Sequence, residues 1–186
     1  MEFIPIFVSD NLVDGIWSIH FDNEFRNELG KFFNQVNDIE WLNEFFQRNK
    51  PDLIAGFFGN ITVDGAVSRT LIEAEELENM LYDYAEQGFD SKDINLQHLF
   101  KPLNNFEYNI TIHQKSKIRI RGGWLRLYAI RIAENCYLLS GGAIKLTYDM
   151  KRMHLQKELF KLEQVKEFLR RNNINYPEDL YPYDYE

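Results

Sequence analysis

Four basic residues alternate along one short stretch of the chain, at Lys115, Lys117, Arg119 and Arg121. A β-strand points every second residue to the same side, so this spacing predicts a row of positive charge on one face of a sheet. Such a row could bind a phosphate backbone. It could also be an exposed edge strand that its charges protect from aggregation.

Further cations and tyrosines follow near the predicted ends of the neighbouring strands. They are Arg126, Tyr128, Arg131, Lys145, Tyr148, Lys151 and Arg152. A groove that combines several cations with one or two tyrosines can hold RNA, stack a base and stabilise the added negative charge of a pentacoordinate phosphate. His113 and His154 lie in the same basic region and could act as an acid or a base, although such histidines are more often ordinary side chains without a catalytic role.

The sequence predicts neither a metal site nor a cofactor. The four histidines lack the spacing of metal ligands, and Cys136 is the only cysteine. Gly141-Gly142 lacks the Gly-Lys-Ser/Thr ending of a phosphate-binding loop. A single cysteine excludes an internal disulfide and points to a reducing cytosol.

Charge is divided unevenly along the chain, whose net charge is −8. Residues 1–100 carry 19 acidic and 6 basic side chains, a net of −13. Residues 101–175 carry 15 basic and 6 acidic side chains, a net of +9, and residues 176–186 carry 4 acids and no base. Clustered Lys and Arg attract phosphate-bearing molecules, so the basic segment is where we expect a polyanionic ligand or a charged partner. Attraction between the two halves of the chain would explain the same division.

Length and composition fit one domain over residues 1–175. The chain has 186 residues, of which 45% are hydrophobic, and a chain of this size can bury a core. Residues 176–186 are predicted to be a loosely ordered tail rich in acids and tyrosine. No stretch is apolar for long enough to cross a membrane, and the first ten residues lack the basic region and cleavage site of a signal peptide. We therefore expect a cytoplasmic protein without a membrane partner.

Hydrophobic periodicity predicts strands and then helices in the N-terminal half. Residues 3–8 and 15–21 are predicted strands, and residues 23–36 a helix whose start Asp22 or Asn23 could cap. Asp38 is placed to cap a second helix, which must end before Lys50-Pro51. We predict a loop over residues 51–61 and a long helix over 63–87, whose acidic face either meets water or docks a basic partner.

The C-terminal half is predicted to be an antiparallel β-meander followed by a helix. Alternating apolar residues predict strands over residues 108–112, 115–121, 124–132, 136–140 and 143–147. A leucine stripe predicts the final helix over residues 151–171. The predicted fold class is α+β.

Three short motifs mark this half of the chain. They are Phe100-Lys101-Pro102-Leu103-Asn104-Asn105 leading into Tyr108-Asn109-Ile110, then Trp124-Leu125-Arg126-Leu127-Tyr128-Ala129-Ile130-Arg131, and then Ala143-Ile144-Lys145-Leu146-Thr147. Their order resembles the RelE/ParE toxin superfamily, in particular its phage-derived HigB-like branch. There a Lys-Pro-Leu turn precedes a strand, an Arg-x-x-Tyr strand follows, and a Lys-Lys-Thr stretch opens the closing helix. The resemblance covers residues 94–172. Leu146 replaces one lysine of the Lys-Lys-Thr stretch, and residues 51–93 look like an insertion into the family fold that adds an acidic helix.

The resemblance implies a RelE-like fold and the toxin of a type II toxin–antitoxin pair, a metal-independent endoribonuclease that acts on mRNA at the ribosome. It implies a helix-turn-helix antitoxin and the ribosome with its mRNA as partners, and no cofactor. Arg126 and Lys145 match the cations that stabilise the phosphate and the transition state, with Tyr128 or Tyr148 as a stacking or proton-handling group. The RNA-binding residues would be Lys115, Lys117, Arg119, Arg121, Arg131, Lys151 and Arg152.

Two other interpretations stay open. A non-catalytic protein of the same fold could inhibit gyrase or engage only a DNA-binding antitoxin, which Leu146 and the overall acidity favour. The acidic tail could instead lie in the basic groove as an internal mimic of RNA. The sequence leaves the general base and the oligomeric state open.

Overall fold

A mixed sheet of six strands forms the centre of the protein, in the spatial order β1-β2-β6-β5-β4-β3. This computed structural model describes residues 1–11, 13–55, 57–89, 93–104 and 109–181. The strands are β1 (Glu2–Val8), β2 (Gly15–His20), β3 (Lys101–Pro102), β4 (Lys115–Arg119), β5 (Leu125–Ala133) and β6 (Cys136–Ile144). Among the described residues, only β2 and β6 pair in parallel. β4, β5 and β6 form an antiparallel meander as predicted, and β3, where the sequence predicted a turn, adds a short strand to its edge.

Helices cover both faces of the sheet, which makes the fold α+β. They are α1 (Glu28–Val36), α2 (Ile39–Arg48), α3 (Lys50–Ile54), α4 (Val63–Gly88), α5 (Leu96–Leu99) and α6 (Met153–Arg171). One face packs against α1, α2 and α4 through Leu127 and Leu139 of the sheet. The other face packs against α6 through Tyr128, Ile130 and Leu138. Side chains that alternate along β5 therefore enter two separate hydrophobic clusters.

One predicted helix start is confirmed, and another is wrong. Asp38 accepts a hydrogen bond from Trp41 N at 3.0 Å and begins α2, as predicted. The first helix begins at Glu28, not at Asp22 or Asn23, because Asn23 has a φ of +65° and cannot continue a helix. Phe25 is consequently fully exposed instead of lying on the buried stripe.

The predicted loop over residues 51–61 is wrong at its start, where α3 follows directly on α2. Pro51 lies in the first turn of α3. The N–H groups of a first turn have no acceptor within the helix, so the missing N–H of proline costs no hydrogen bond there. The long helix α4 agrees with its prediction within a residue, and the Thr62 hydroxyl caps it by accepting from Gly65 N at 3.1 Å.

The predicted strand over residues 108–112 is wrong for the part that can be described. Ile110 and Ile112 are exposed and lie outside any strand, and Tyr108 lies outside the described residues. His113 has a φ of +56°, which lies outside the β region, so a strand cannot continue through this residue into β4. Apolar alternation alone was therefore a misleading signal here.

The two predicted strand pieces on either side of Gly141-Gly142 form one continuous strand, β6. A Cβ atom on Gly142 would lie 2.4 Å from Cδ2 of Phe32, so glycine is required for α1 to approach the sheet. A register shift opposite Tyr128 and Ala129 accommodates Gly141, whose φ is +151°.

The first part of the predicted loose tail is ordered. Residues Pro177–Leu180 form a 3₁₀ turn in which Leu180 is 1% exposed. The Tyr181 ring packs edge-on against Trp17 with ring centroids 4.6 Å apart. Asp179 accepts hydrogen bonds from the backbone N–H of Asn175 and Tyr176 and does not lie in the basic groove. Residues 182–186, with Asp184 and Glu186, lie outside the described residues.

In the part of the chain that the structure describes, no helix has the length and apolarity needed to cross a membrane.

A buried charge network joins α1 to α6. The Lys161 ammonium lies 2.8 Å from Oε1 of Glu158 and 2.5 Å from Oε2 of Glu28, and Lys31 also pairs with Glu28. Oε2 of Glu158 is buried without a hydrogen-bond partner, and burial raises the pKa of this carboxyl from 4.5 to about 7.

Glu158→Gln is expected to change how stability depends on pH. A carboxyl whose pKa is raised by folding stabilises the fold below its unfolded pKa, and this contribution is lost as pH rises from 4.5 through about 7. Glutamine is neutral at every pH, so the free energy of unfolding of the variant should match that of the parent at pH ~4 and exceed it at pH ~8 by about 1–3 kcal/mol. Urea denaturation at the two pH values measures both free energies. The same difference between variant and parent at both pH values would contradict the prediction. The buried histidines are present in both proteins, so their contributions to the pH dependence cancel in the difference between the two free energies of unfolding.

Candidate nucleic-acid interface

Strand register brings the predicted catalytic and binding cations to one end of the α6 face. Lys117 of β4 lies opposite Tyr128 of β5, and Arg119 lies opposite Arg126. Arg126 in turn lies opposite Ala143 of β6, two residues before Lys145. Lys117, Arg119, Arg126 and Lys145 therefore converge although they come from three separate segments of the sequence.

These cations line a cleft with a volume of about 420 Å³. We call it the basic cleft and define it by its described lining residues: Phe57, Leu103, Asn104, Lys117, Arg119, Arg126, Tyr128, Lys145, Thr147, Tyr148, Met150 and Leu159. The volume falls within the range of about 300–1,000 Å³ typical of small-ligand sites. The lining contains four cations and no acidic side chain among the residues described.

Backbone carbonyl oxygens hold the cations of the basic cleft in place. The Arg126 guanidinium donates to Gly123 O at 2.9 Å and to Leu125 O at 2.6 Å. The Lys145 ammonium donates to the carbonyls of Thr147 and Tyr148, both at 2.6 Å. Carbonyl partners orient a cation without cancelling its charge, so the positive potential stays directed into the cleft.

The side chains Arg119, Arg126 and Lys145 take part in none of the ion pairs found within 4.0 Å among the described residues. Arg119 and Arg126 face each other directly across the two strands, an arrangement that destabilises a sheet. An anion bound between them would remove that repulsion.

Burial and the neighbouring charges shift the pKa values of the two lysines in the same direction. Burial lowers the pKa of Lys117, and Arg119, Arg126 and Lys145 lower it further. Burial also lowers the pKa of Lys145, with Arg126 adding to the effect. The neutral form of each lysine is thus more accessible than in water, which is what a lysine needs to accept a proton.

The two predicted tyrosines occupy different positions. Tyr128 is 1% exposed, its hydroxyl donates to Sδ of Met150 at 3.7 Å, and burial raises its pKa. It forms the floor of the basic cleft and has no free ring face for a base. Tyr148 is 87% exposed at the mouth, where its ring can stack on a ligand.

The acidic helix α4 fixes the start of the strand that carries Arg126. Oε2 of Glu73 accepts hydrogen bonds from the backbone N–H groups of Trp124 at 2.9 Å and Leu125 at 3.1 Å. Oε1 of Glu73 accepts from Nε of Arg69 at 3.1 Å, and the Arg69 guanidinium lies 4.2 Å from the centre of the Trp124 ring. Glu73 is therefore a structural carboxylate behind the basic cleft and not part of its lining.

The other predicted RNA-binding residues lie outside the basic cleft. Lys115 pairs with Glu163 of α6, and Arg152 forms a two-point pair with Asp52 at 2.6 and 2.8 Å. Arg131 contacts Gln97 on the opposite face of the sheet. β4 ends at Arg119, so Arg121 is an exposed turn residue that does not continue the row, and Lys151 is exposed near Asp149.

Neither candidate histidine reaches the basic cleft. Nε2 of His113 is hydrogen-bonded to Ile174 O at 2.7 Å and Nε2 of His154 to Ile144 O at 2.9 Å, and burial lowers both pKa values. Among the residues described, no group of three or more His, Cys, Asp or Glu side chains could hold a metal ion.

Phe57 is the aromatic residue of the described lining that the sequence did not indicate. It lies between α3 and α4, within residues predicted only as a loop, and its ring is 55% exposed. Its neighbour Phe58 packs edge-on against Trp124 with ring centroids 5.5 Å apart. The rings of Phe57 and Phe58 point in different directions, so Phe58 is half-buried and Phe57 is exposed. This pair of adjacent aromatic residues was the sequence feature that could have indicated an aromatic ring at the surface.

Arg119→Gln is expected to raise stability and to weaken polyanion binding. Removing one of two opposed like charges should stabilise the sheet by roughly 0.2–1 kcal/mol. Thermal unfolding should therefore show a slightly higher melting temperature, while the affinity for a phosphate-bearing oligomer falls. A lower melting temperature combined with unchanged affinity would contradict the assignment of Arg119 to an anion site.

Comparison of the chain with protein-family models, with curated proteins and with solved structures gives no match.

Proposed function

We propose that this protein is the toxin of a type II toxin–antitoxin pair, a metal-independent endoribonuclease that cleaves mRNA in the cytoplasm, acting at the ribosome. The observation that carries the proposal is the convergence of Lys117, Arg126 and Lys145 in one cleft whose described lining contains no carboxylate. The RelE-like motif order and the α+β meander with its closing helix support the same assignment.

In the proposed reaction, a base removes the proton of a ribose 2′-hydroxyl and the 2′-oxygen attacks the adjacent phosphorus. The bond from phosphorus to the 5′-oxygen breaks and this oxygen takes a proton from the protonated base or from water, which leaves a 2′,3′-cyclic phosphate and a 5′-hydroxyl end. Arg126 and Lys145 stabilise the charge of the pentacoordinate phosphate. Lys117, with its lowered pKa, is our candidate for the base, and Tyr148 stacks a neighbouring base.

The test is cleavage of ribosome-bound mRNA by the purified chain, from which a chelator has removed any metal ion before it is added to the ribosomes. We expect new 5′ ends mapped by primer extension, and growth arrest when the chain is expressed in bacteria. Intact mRNA together with unaffected growth would refute the enzyme proposal.

The second candidate is a non-catalytic protein of the same fold, which engages gyrase or a helix-turn-helix antitoxin. Leu146 favours it, because this residue is buried in the core and offers no second lysine beside Lys145. Capture of partners from the native host separates the two functions. Gyrase or a DNA-binding protein without ribosomes would support the second.

A further inference from the structure

Phe57 and Tyr148 form an exposed aromatic pair at the mouth of the basic cleft. Their ring centroids lie 6.3 Å apart with planes inclined by 66°. Phe57 is 55% exposed and Tyr148 is 87% exposed. Each ring therefore has a face that no described part of the protein covers, and both stand beside four cations.

Both rings are held by anchored backbone. Phe58 packs against Trp124 and lies under the Arg69 guanidinium, 5.3 Å from the centre of the Phe58 ring, which fixes the loop that presents Phe57. The Lys145 ammonium donates to Tyr148 O, which fixes the segment that presents the tyrosine. The pair is thus flanked by contacts with the folded body, which lower the ordering cost of binding a ligand there.

The combination of stacking surfaces with cations selects a class of ligand. Cations alone would accept any polyanion, and exposed aromatic rings alone would accept any apolar group. Alternating phosphates and flat rings are the chemistry of nucleic acid, and a base can stack on a protein ring only when it is unpaired. In a duplex both faces of each base are already stacked.

We propose that Phe57 and Tyr148 form a subsite that stacks an unpaired base next to the phosphate held by Arg126 and Lys145, so that the cleft takes single-stranded RNA and not duplex RNA. This inference rests on the proposed function and adds a role for the segment between α3 and α4. That segment supplies a recognition residue from outside the basic meander.

The experiment measures binding of a short single-stranded 2′-O-methyl oligoribonucleotide by fluorescence anisotropy. This oligomer cannot be cleaved because its 2′-oxygen is blocked. Two matched probes are the same oligomer in duplex form and an abasic oligomer with the same phosphates. Wild-type protein should prefer the single strand to both.

Phe57→Ala is expected to weaken binding of the single strand roughly 5- to 100-fold and to leave binding of the abasic oligomer unchanged. Phe57→Tyr keeps an aromatic ring and should retain the wild-type affinity. Phe25→Ala removes a fully exposed phenylalanine outside the cleft lining and should have no effect.

Each other outcome overturns a specific statement. Equal affinity of the Phe57→Ala variant and wild type for the single strand would remove the stacking subsite and leave the nuclease proposal intact. If Phe57→Ala lost the same affinity for the single strand and for the abasic oligomer, Phe57 would act through the fold or the charges and not by stacking a base. A Phe57 effect without any cleavage of mRNA would retain the subsite and reject the nuclease. Binding of none of the oligomers by wild type would reject the stacking subsite, while cleavage of ribosome-bound mRNA decides the nuclease proposal separately.

Discussion

Replacing Arg126 and Lys145 together by alanine should reduce mRNA cleavage by at least roughly 100-fold and relieve growth arrest. The expectation follows from the stabilisation of a developing phosphate charge, where loss of one preorganised donor costs about 10²–10³ in kcat. The two cations act on the same phosphate, so their effects should not simply multiply. Single-turnover cleavage of an RNA substrate measures the loss directly.

The matched control replaces Arg121 and Lys151, two exposed cations outside the basic cleft, by alanine. Both double variants lose the same charge, so general electrostatic attraction falls equally in each. Similar losses in the two variants would show that position within the cleft does not matter. A melting temperature close to that of wild type is required of both before their rates are compared.

Glu73→Ala is expected to lower the free energy of unfolding by about 3–5 kcal/mol. The carboxylate is 5% exposed, and its removal leaves the buried N–H groups of Trp124 and Leu125 without an acceptor and Arg69 without its ion-pair partner. The start of β5 should loosen, so Arg126 would lose its fixed position as well. Urea denaturation followed by tryptophan fluorescence measures the loss.

Glu76→Ala on the same helix is the control, because Glu76 is exposed. It should change the free energy of unfolding by no more than about 0.5 kcal/mol. If the Glu73 and Glu76 variants were equally stable, α4 would not anchor β5. The acidic helix would then be only a solvated surface element.

The meander and the final helix could be predicted because local sequence patterns determine them. Alternating residues predicted β5 to within a residue and β4 except for its last two residues, and the leucine stripe predicted α6 except for its first two. The grouping of Lys117, Arg126 and Lys145 required one further step, the assumption that successive strands pair as neighbours. That assumption is correct for β4, β5 and β6.

Long-range packing explains what the sequence did not reveal. Nothing local distinguishes Glu73 from Glu75 or Glu76, yet only Glu73 of the three turns inward to meet Trp124 and Leu125. Lys115 and Arg152 lie among other basic residues in the sequence, which is why they were predicted to bind RNA. In the fold, Lys115 pairs with Glu163 and Arg152 pairs with Asp52, and both partners are distant in sequence. Phe57 became part of the basic cleft because the folded chain places its loop beside cations that are 60 to 88 positions away in the sequence.

The salt dependence of RNA binding tests most directly whether the converging cations hold a phosphate backbone. A plot of log affinity against log salt concentration has a slope of about −0.7 per phosphate contact for single strands. The Arg126→Ala, Lys145→Ala variant should therefore show a slope shallower than wild type by about 1.4, and the Arg121→Ala, Lys151→Ala variant a slope near that of wild type. An identical slope for wild type and both variants would contradict the account.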